Sequence, residues 1–168
     1  MSHFLYLMRH SQSADKQPGQ SDKERELTQQ GMHDALLAGR YLAQQKINLD
    51  VVICSTAVRA HRTAELLSDI LQFDTAKLQL DDELYTASVR TFLSLVTQLD
   101  ELHAHVMCVG HNPVISYLAE YLTKAEIGDM PPAGIAVIRL NVAHWKEMNQ
   151  TTGELVALLT PDNFRNDK

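Results

Sequence analysis

Phe4-Leu5-Tyr6-Leu7-Met8-Arg9-His10-Ser11 sets five apolar residues against an arginine, a histidine and a serine. An apolar run of that length, without alternation, reads as a strand buried on both faces, the kind found in parallel sheets. The polar stretch that follows, 11–26, contains Pro18 and Gly19 and reads as a loop. Thr28 is placed to cap a helix with Met32, Ala35, Leu36, Gly39, Leu42 and Ala43 on one face. Val51–Cys54 reads as a second buried strand, and Ser55 as the cap of a helix running to about Leu71. Its stripe is Ala60, Ala64, Leu67 and Leu71. Leu78–Leu80 is a short third strand, and Ser88 caps a helix carrying Val89, Phe92, Leu93, Val96 and Leu99. Val106–Val109 is a fourth strand. Asn112-Pro113 then reads as a cap with proline at the first helical position, ahead of Val114, Tyr117, Leu118, Tyr121 and Leu122. Ile135–Val142 and Leu155–Thr160 are the last two strands, able to form a hairpin.

Strands separated by helices predict βαβ units. The expected fold is α/β, three-layer α/β/α, with a mainly parallel central sheet and one antiparallel strand. It is expected to form one domain over residues 1–168, a length typical of a single domain. The chain is 45% hydrophobic and 21% charged, which excludes a disordered or collagen-like polymer. Its net charge of −6 disfavours binding to nucleic acid or to an anionic membrane surface. Cys54 and Cys108 make no disulfide framework, and Phe4–Met8 is too short for a secretory core. No stretch approaches the ~18 apolar residues of a membrane span. A reduced, soluble, cytoplasmic protein is expected, with a monomer as the default.

In open α/β sheets, ligands bind beyond the carboxyl ends of the strands. Three such ends carry Arg9-His10-Ser11, Ser55 to Arg59, and Gly110-His111-Asn112. Taken singly, each histidine reads as a structural residue and each arginine as a solvated one. Together they bring two histidines and two arginines to one rim. Guanidinium forks match phosphate oxygens bidentately, and helix N-termini add backbone donors. A neutral imidazole in such a pocket can attack phosphorus. No histidine pair has helical metal-ligand spacing around a carboxylate, so no metal is expected.

These blocks resemble the histidine phosphatase superfamily, which is phosphoglycerate mutase-like. The resemblance is carried by Leu7-Met8-Arg9-His10, by Leu27-Thr28 with Gly31, by Ser55-Thr56-Ala57-Val58-Arg59-Ala60 with Thr63-Ala64, and by Gly110-His111-Asn112-Pro113. The short length and the block Arg25-Glu26-Leu27-Thr28 look most like the phosphohistidine phosphatase branch. The resemblance implies that His10 is the nucleophile and that Arg9 and Arg59 clamp the phosphate. It also implies that His111 is the second histidine of the pocket. Arg25 is either a further contact or a solvated loop charge, and Arg62 reads as surface. The implied substrate is a phosphorylated protein, for which a histidine-containing phosphotransfer domain is the candidate, with no cofactor.

Two departures stand out. Ser11 occupies the family's glycine position, where it either narrows the pocket or donates its hydroxyl to the phosphate. Ester-cleaving members place an acid after the third strand. Glu83 is the nearest candidate here, with a solvated turn charge as the other reading. An imidazole leaves more readily than an alkoxide, so this acid is less necessary for phosphohistidine. The alternatives are a small-molecule phosphomonoesterase of the same superfamily and a non-catalytic phosphate-binding module.

Overall fold

The computed structural model describes residues 2–166. In chain order its strands and helices are β1 Phe4–Arg9, α1 Gln29–Gln44, β2 Val51–Ser55, α2 Val58–Ile70, β3 Gln79–Asp81, α3 Glu83–Thr86 and α4 Val89–Thr97. They continue with β4 His105–Gly110, α5 Val114–Thr123, β5 Ile135–Leu140, β6 Gly153–Leu159 and α6 Pro161–Asn166. The six strands form one sheet in the order β3-β2-β4-β1-β5-β6. Strands β1 to β4 pair in parallel, and β5 runs antiparallel to both β1 and β6. The layers and the lone reversed strand are those expected from the sequence.

The unbroken apolar runs are explained by the two faces of the sheet. Alternate residues of each strand enter separate cores. Leu5, Leu7, Ile53, Val106, Cys108 and Ile138 pack with Phe92 and Val96 of α4 and with Ile115 and Leu118 of α5. Tyr6, Met8, Val52, Cys54, Met107 and Val109 pack with Ala38 and Leu42 of α1 and with Ala60, Ala64 and Leu67 of α2. The small residues let α1 approach α2 closely. A Cβ on Gly39 would stand 2.9 Å from the Ile70 Cβ and 3.0 Å from the Leu67 carbonyl. No helix among the described residues is long and apolar enough to cross a membrane.

Two helix starts depart from the sequence reading. Helix α2 begins at Val58, with Ala57 as its N-cap and no side-chain cap bond. Ser55 is the last residue of β2. It accepts a hydrogen bond from the Ala57 amide at 3.2 Å and is otherwise committed to His111. Helix α5 begins at Val114, with Pro113 in the cap position. The Asn112 side chain caps nothing: it donates to the Met130 carbonyl and accepts from the Ser116 hydroxyl. The predicted caps at Thr28 and Ser88 do hold, bonding the amides of Gly31 and Thr91.

Candidate active site

The register of the sheet decides what meets at its carboxyl rim. Arg9 and Gly110 are neighbours across β1 and β4, and the His10 amide donates to the Gly110 carbonyl at 3.0 Å. The next side chains, His10 and His111, therefore project together, with ring centroids 5.1 Å apart. Strand β2 ends alongside, and its Ser55 hydroxyl is hydrogen-bonded to His111 Nε2 at 2.8 Å.

His10 is buried, and its Nδ1 lies 2.7 Å from the Ser11 carbonyl oxygen. A carbonyl can only accept, so Nδ1 carries the proton and Nε2 presents its lone pair. Burial pushes the imidazole pKa down to about 3, against the pull of the Ser11 bond. The charges of His111, Arg59 and Arg9 push the same way as burial. His111 is lowered to about 4, mainly by burial and by Arg59, with Asp22 opposing. Both rings are neutral at ordinary pH.

Arg9 is held by a small polar network. Its Nη1 donates to the Met130 carbonyl at 2.8 Å, and Asn112 Nδ2 donates to the same oxygen at 3.0 Å. Ser116 closes the ring, donating to Asn112 Oδ1 and accepting from the Met130 amide. Among the described residues the buried Arg9 Nε has no hydrogen-bond partner. Arg59 enters from the first turn of α2 and is buried. Its Nη1 donates to the Asp22 carbonyl at 2.8 Å and its Nη2 to Asp22 Oδ2 at 3.1 Å. Thr63, one turn on, donates to the Arg59 carbonyl and accepts from the Ser11 amide, which ties α2 to the histidine strand.

The other sequence candidates lie differently. Ser11 is fully buried, and its hydroxyl donates to the Gly31 carbonyl at 2.6 Å, so its one proton serves the fold and not a ligand. Arg25 donates to the Ala14 carbonyl, to the Ser13 hydroxyl and to Asp22 Oδ1, all within its own loop. Glu83 opens α3 on the exposed surface and lines a cleft with Asp81, Arg90, Thr91 and Ser94, a lining that includes neither His10 nor His111. Arg62 is exposed. Among the described residues no group of three or more His, Cys, Asp or Glu side chains is arranged to hold a metal ion.

Sequence reasoning did not find Asp22 or Tyr85. The Tyr85 hydroxyl donates to Asp22 Oδ2 at 2.6 Å, and its ring stands edge-on to His111 with centroids 5.6 Å apart. Asp22 lies in a 3-10 turn, Asp22–Glu24, within a polar loop, and nothing in its local sequence marks it.

The chain is similar to several known proteins. Residues 5–88 match the family model described as histidine phosphatase superfamily (branch 1). An uncharacterized protein of Mycobacterium tuberculosis is 32% identical over 165 residues, covering 92% of this chain and 99% of that one. Phosphohistidine phosphatase SixA of Escherichia coli is 28% identical over 129 residues, 76% of this chain and 77% of that one. A solved structure of the protein histidine phosphatase SixA complexed with tungstate superposes with a TM-score of 0.82 at 26% identity, covering 95% of this chain and 98% of that one.

Proposed function

The chain belongs to the histidine phosphatase superfamily, and we propose that within it the chain removes phosphate from a phosphorylated histidine on another protein. The family makes it a phosphatase that works through a histidine nucleophile. The observation that carries the assignment to His10 is its single anchored proton. With Nδ1 bonded to the Ser11 carbonyl, Nε2 is unprotonated, on a ring 5.1 Å from that of His111 that feels the charges of Arg59 and Arg9.

In this reading the guanidinium groups of Arg9 and Arg59 hold the phosphoryl oxygens, and His111 donates to or polarises a third. His10 Nε2 forms a bond to phosphorus as the bond from phosphorus to the substrate imidazole breaks. Water then attacks the phosphohistidine intermediate, releasing phosphate and restoring the neutral ring. The exposed position of Glu83 fits a leaving group that departs without a dedicated acid. The neighbours named for phosphohistidine and protein histidine phosphatase activity support the same substrate class.

The test has two arms. Brief incubation with a labelled phosphorylated histidine phosphotransfer domain should leave an acid-labile, base-stable label on the wild-type chain and none on His10→Ala. Turnover of that domain should exceed turnover of small phosphate esters. Undiminished activity of His10→Ala would remove the proposed mechanism, and hydrolysis confined to small esters would remove the protein substrate.

A further inference from the structure

The N–H groups of Arg59 and Arg9 not taken by the bonds to Asp22 and Met130 define the donor set of the proposed phosphate site, but the Arg59 fork needs something to aim it. A buried guanidinium without acceptors is costly, and a free one samples many rotamers. One residue supplies both acceptors for Arg59. The main-chain oxygen of Asp22 takes Nη1 and its carboxylate takes Nη2. A guanidinium carries five N–H donors, so this grip leaves three for phosphoryl oxygens. Asp22 can therefore stay in place while substrate binds.

The carboxylate is itself braced. Oδ2 also receives the Tyr85 hydroxyl at 2.6 Å, and Oδ1 receives Arg25 Nη1 at 3.1 Å. Arg25 in turn is pinned to the Ala14 carbonyl and the Ser13 hydroxyl. Tyr85 meets His111 through its ring edge. Asp22 thus links the α2 arginine, the loop after β1 and the α3 segment beside His111. The Asp22 side chain is half exposed, and an exposed pair adds little to folding stability. The Tyr85, Arg25 and Arg59 bonds keep the carboxyl far below its ordinary range, so it is not a proton donor near neutral pH.

We propose that Asp22, braced by the Tyr85 hydroxyl, is a positioning residue for phosphoryl transfer, holding the Arg59 fork in the orientation that receives the phosphoryl oxygens. The proposal rests on Arg59 being a phosphate ligand.

The experiment measures kcat, KM and melting temperature with a chemically phosphorylated histidine peptide. The variants are Asp22→Ala, Asp22→Asn, Tyr85→Phe and the double variant Asp22→Ala with Tyr85→Phe. Asp22→Ala should lower kcat/KM about 10- to 100-fold, the scale of a misplaced clamp. Its melting temperature should fall by no more than about 3 °C, because the main-chain oxygen at position 22 still accepts from Arg59 Nη1 and the lost carboxylate is half exposed. Asp22→Asn keeps an acceptor oxygen for Arg59 and Tyr85 and should restore kcat/KM to within about threefold of wild type. Tyr85→Phe should lose about 2- to 10-fold. The double variant should be no worse than Asp22→Ala, because both act on one arginine. The proposal is overturned if Asp22→Ala stays within twofold of wild type. It is equally overturned if asparagine fails to rescue and the two losses multiply, which is the signature of independent structural damage. If Asp22→Ala does not fold, Tyr85→Phe decides, and an unchanged kcat/KM there overturns the proposal. His10→Ala serves as the separate check: activity surviving in it defeats the underlying reading and not the role of Asp22 alone.

Discussion

Replacing Gly31 with alanine tests how tightly the first helix is set against the loop that carries the proposed nucleophile. Gly31 lies in the first turn of α1, where its amide donates to the Thr28 hydroxyl and its carbonyl accepts from Ser11. A Cβ at this position would stand 2.1 Å from the Gln12 carbonyl oxygen, 3.0 Å from its carbon and 3.1 Å from its nitrogen. All three are backbone atoms, so no side chain can swing aside. To reach even 3.0 Å the carbonyl oxygen must retreat by about 0.9 Å, and that oxygen also accepts the Thr28 amide at 3.0 Å. Overpacking of this kind costs about 1–3 kcal/mol. Alanine returns about 0.5–1 kcal/mol through its better helix propensity. The net loss is therefore about 0–2.5 kcal/mol, which for a chain of this size lowers the melting temperature by up to about 10 °C. Gln12 directly follows Ser11, whose carbonyl fixes the His10 tautomer, so kcat should fall by about tenfold or more. The assay pairs thermal melts with initial rates on a phosphorylated histidine peptide, and Gly128→Ala is the control. Gly128 has φ +68 but open space around it, so its alanine should cost some stability and leave kcat intact. A Gly31→Ala protein that melts at or above the wild-type temperature with unchanged kcat would refute this reasoning.

Three further outcomes are expected. His10 and His111, depressed to about 3 and about 4 from 6.5, stay neutral when folded while unfolded imidazoles take up protons, so stability should decline as pH falls from 6.5 towards 3. Urea midpoints across that range, with NMR titration of the two rings, check this; a ring titrating near 6.5 would contradict it. Ser11→Gly deletes a buried hydrogen bond to Gly31 and should cost about 1 kcal/mol while kcat stays within a few fold, because the hydroxyl serves the fold; a large loss of kcat without a change in melting temperature would show otherwise. Glu83→Gln should leave phosphohistidine hydrolysis unchanged, since the carboxyl is exposed and lines a different cleft, and a tenfold loss in kcat would assign it a role in the chemistry.

The strands were legible because burial on both faces writes itself as unbroken apolar runs, and Leu5 to Met8 enter two cores alternately. The histidine–arginine cluster was legible because Arg9-His10 and His111 lie at the carboxyl ends of β1 and β4, and Arg59 opens the helix that follows β2, three strands adjacent in the sheet. Caps misled at Ser55 and Asn112 for one physical reason. A small polar residue before a helix signals a cap, but here the site takes the same side chains, Ser55 for His111 and Asn112 for Met130 and Ser116. Such local rules break where a site competes for the residue. Asp22 and Tyr85 left no trace because their meeting with Arg59 joins segments far apart in sequence, and spacing carries no record of that. Arg25 was half legible: its charge is used, but inward on the loop.

The central place of β1 divides the site by how readily its parts open. Paired on both edges and covered on both faces, β1 should exchange its amide protons only through global unfolding. The Asp22 turn lies on the exposed loop, tied mainly by side chains, and should exchange through local opening. The proposed nucleophile, His10, thus inherits the stability of the whole domain, whereas the proposed aim of Arg59 depends on a segment that can loosen and reclose many times while the sheet stays shut. On the proposed reading, changes in that loop retune phosphate affinity at little cost to the fold.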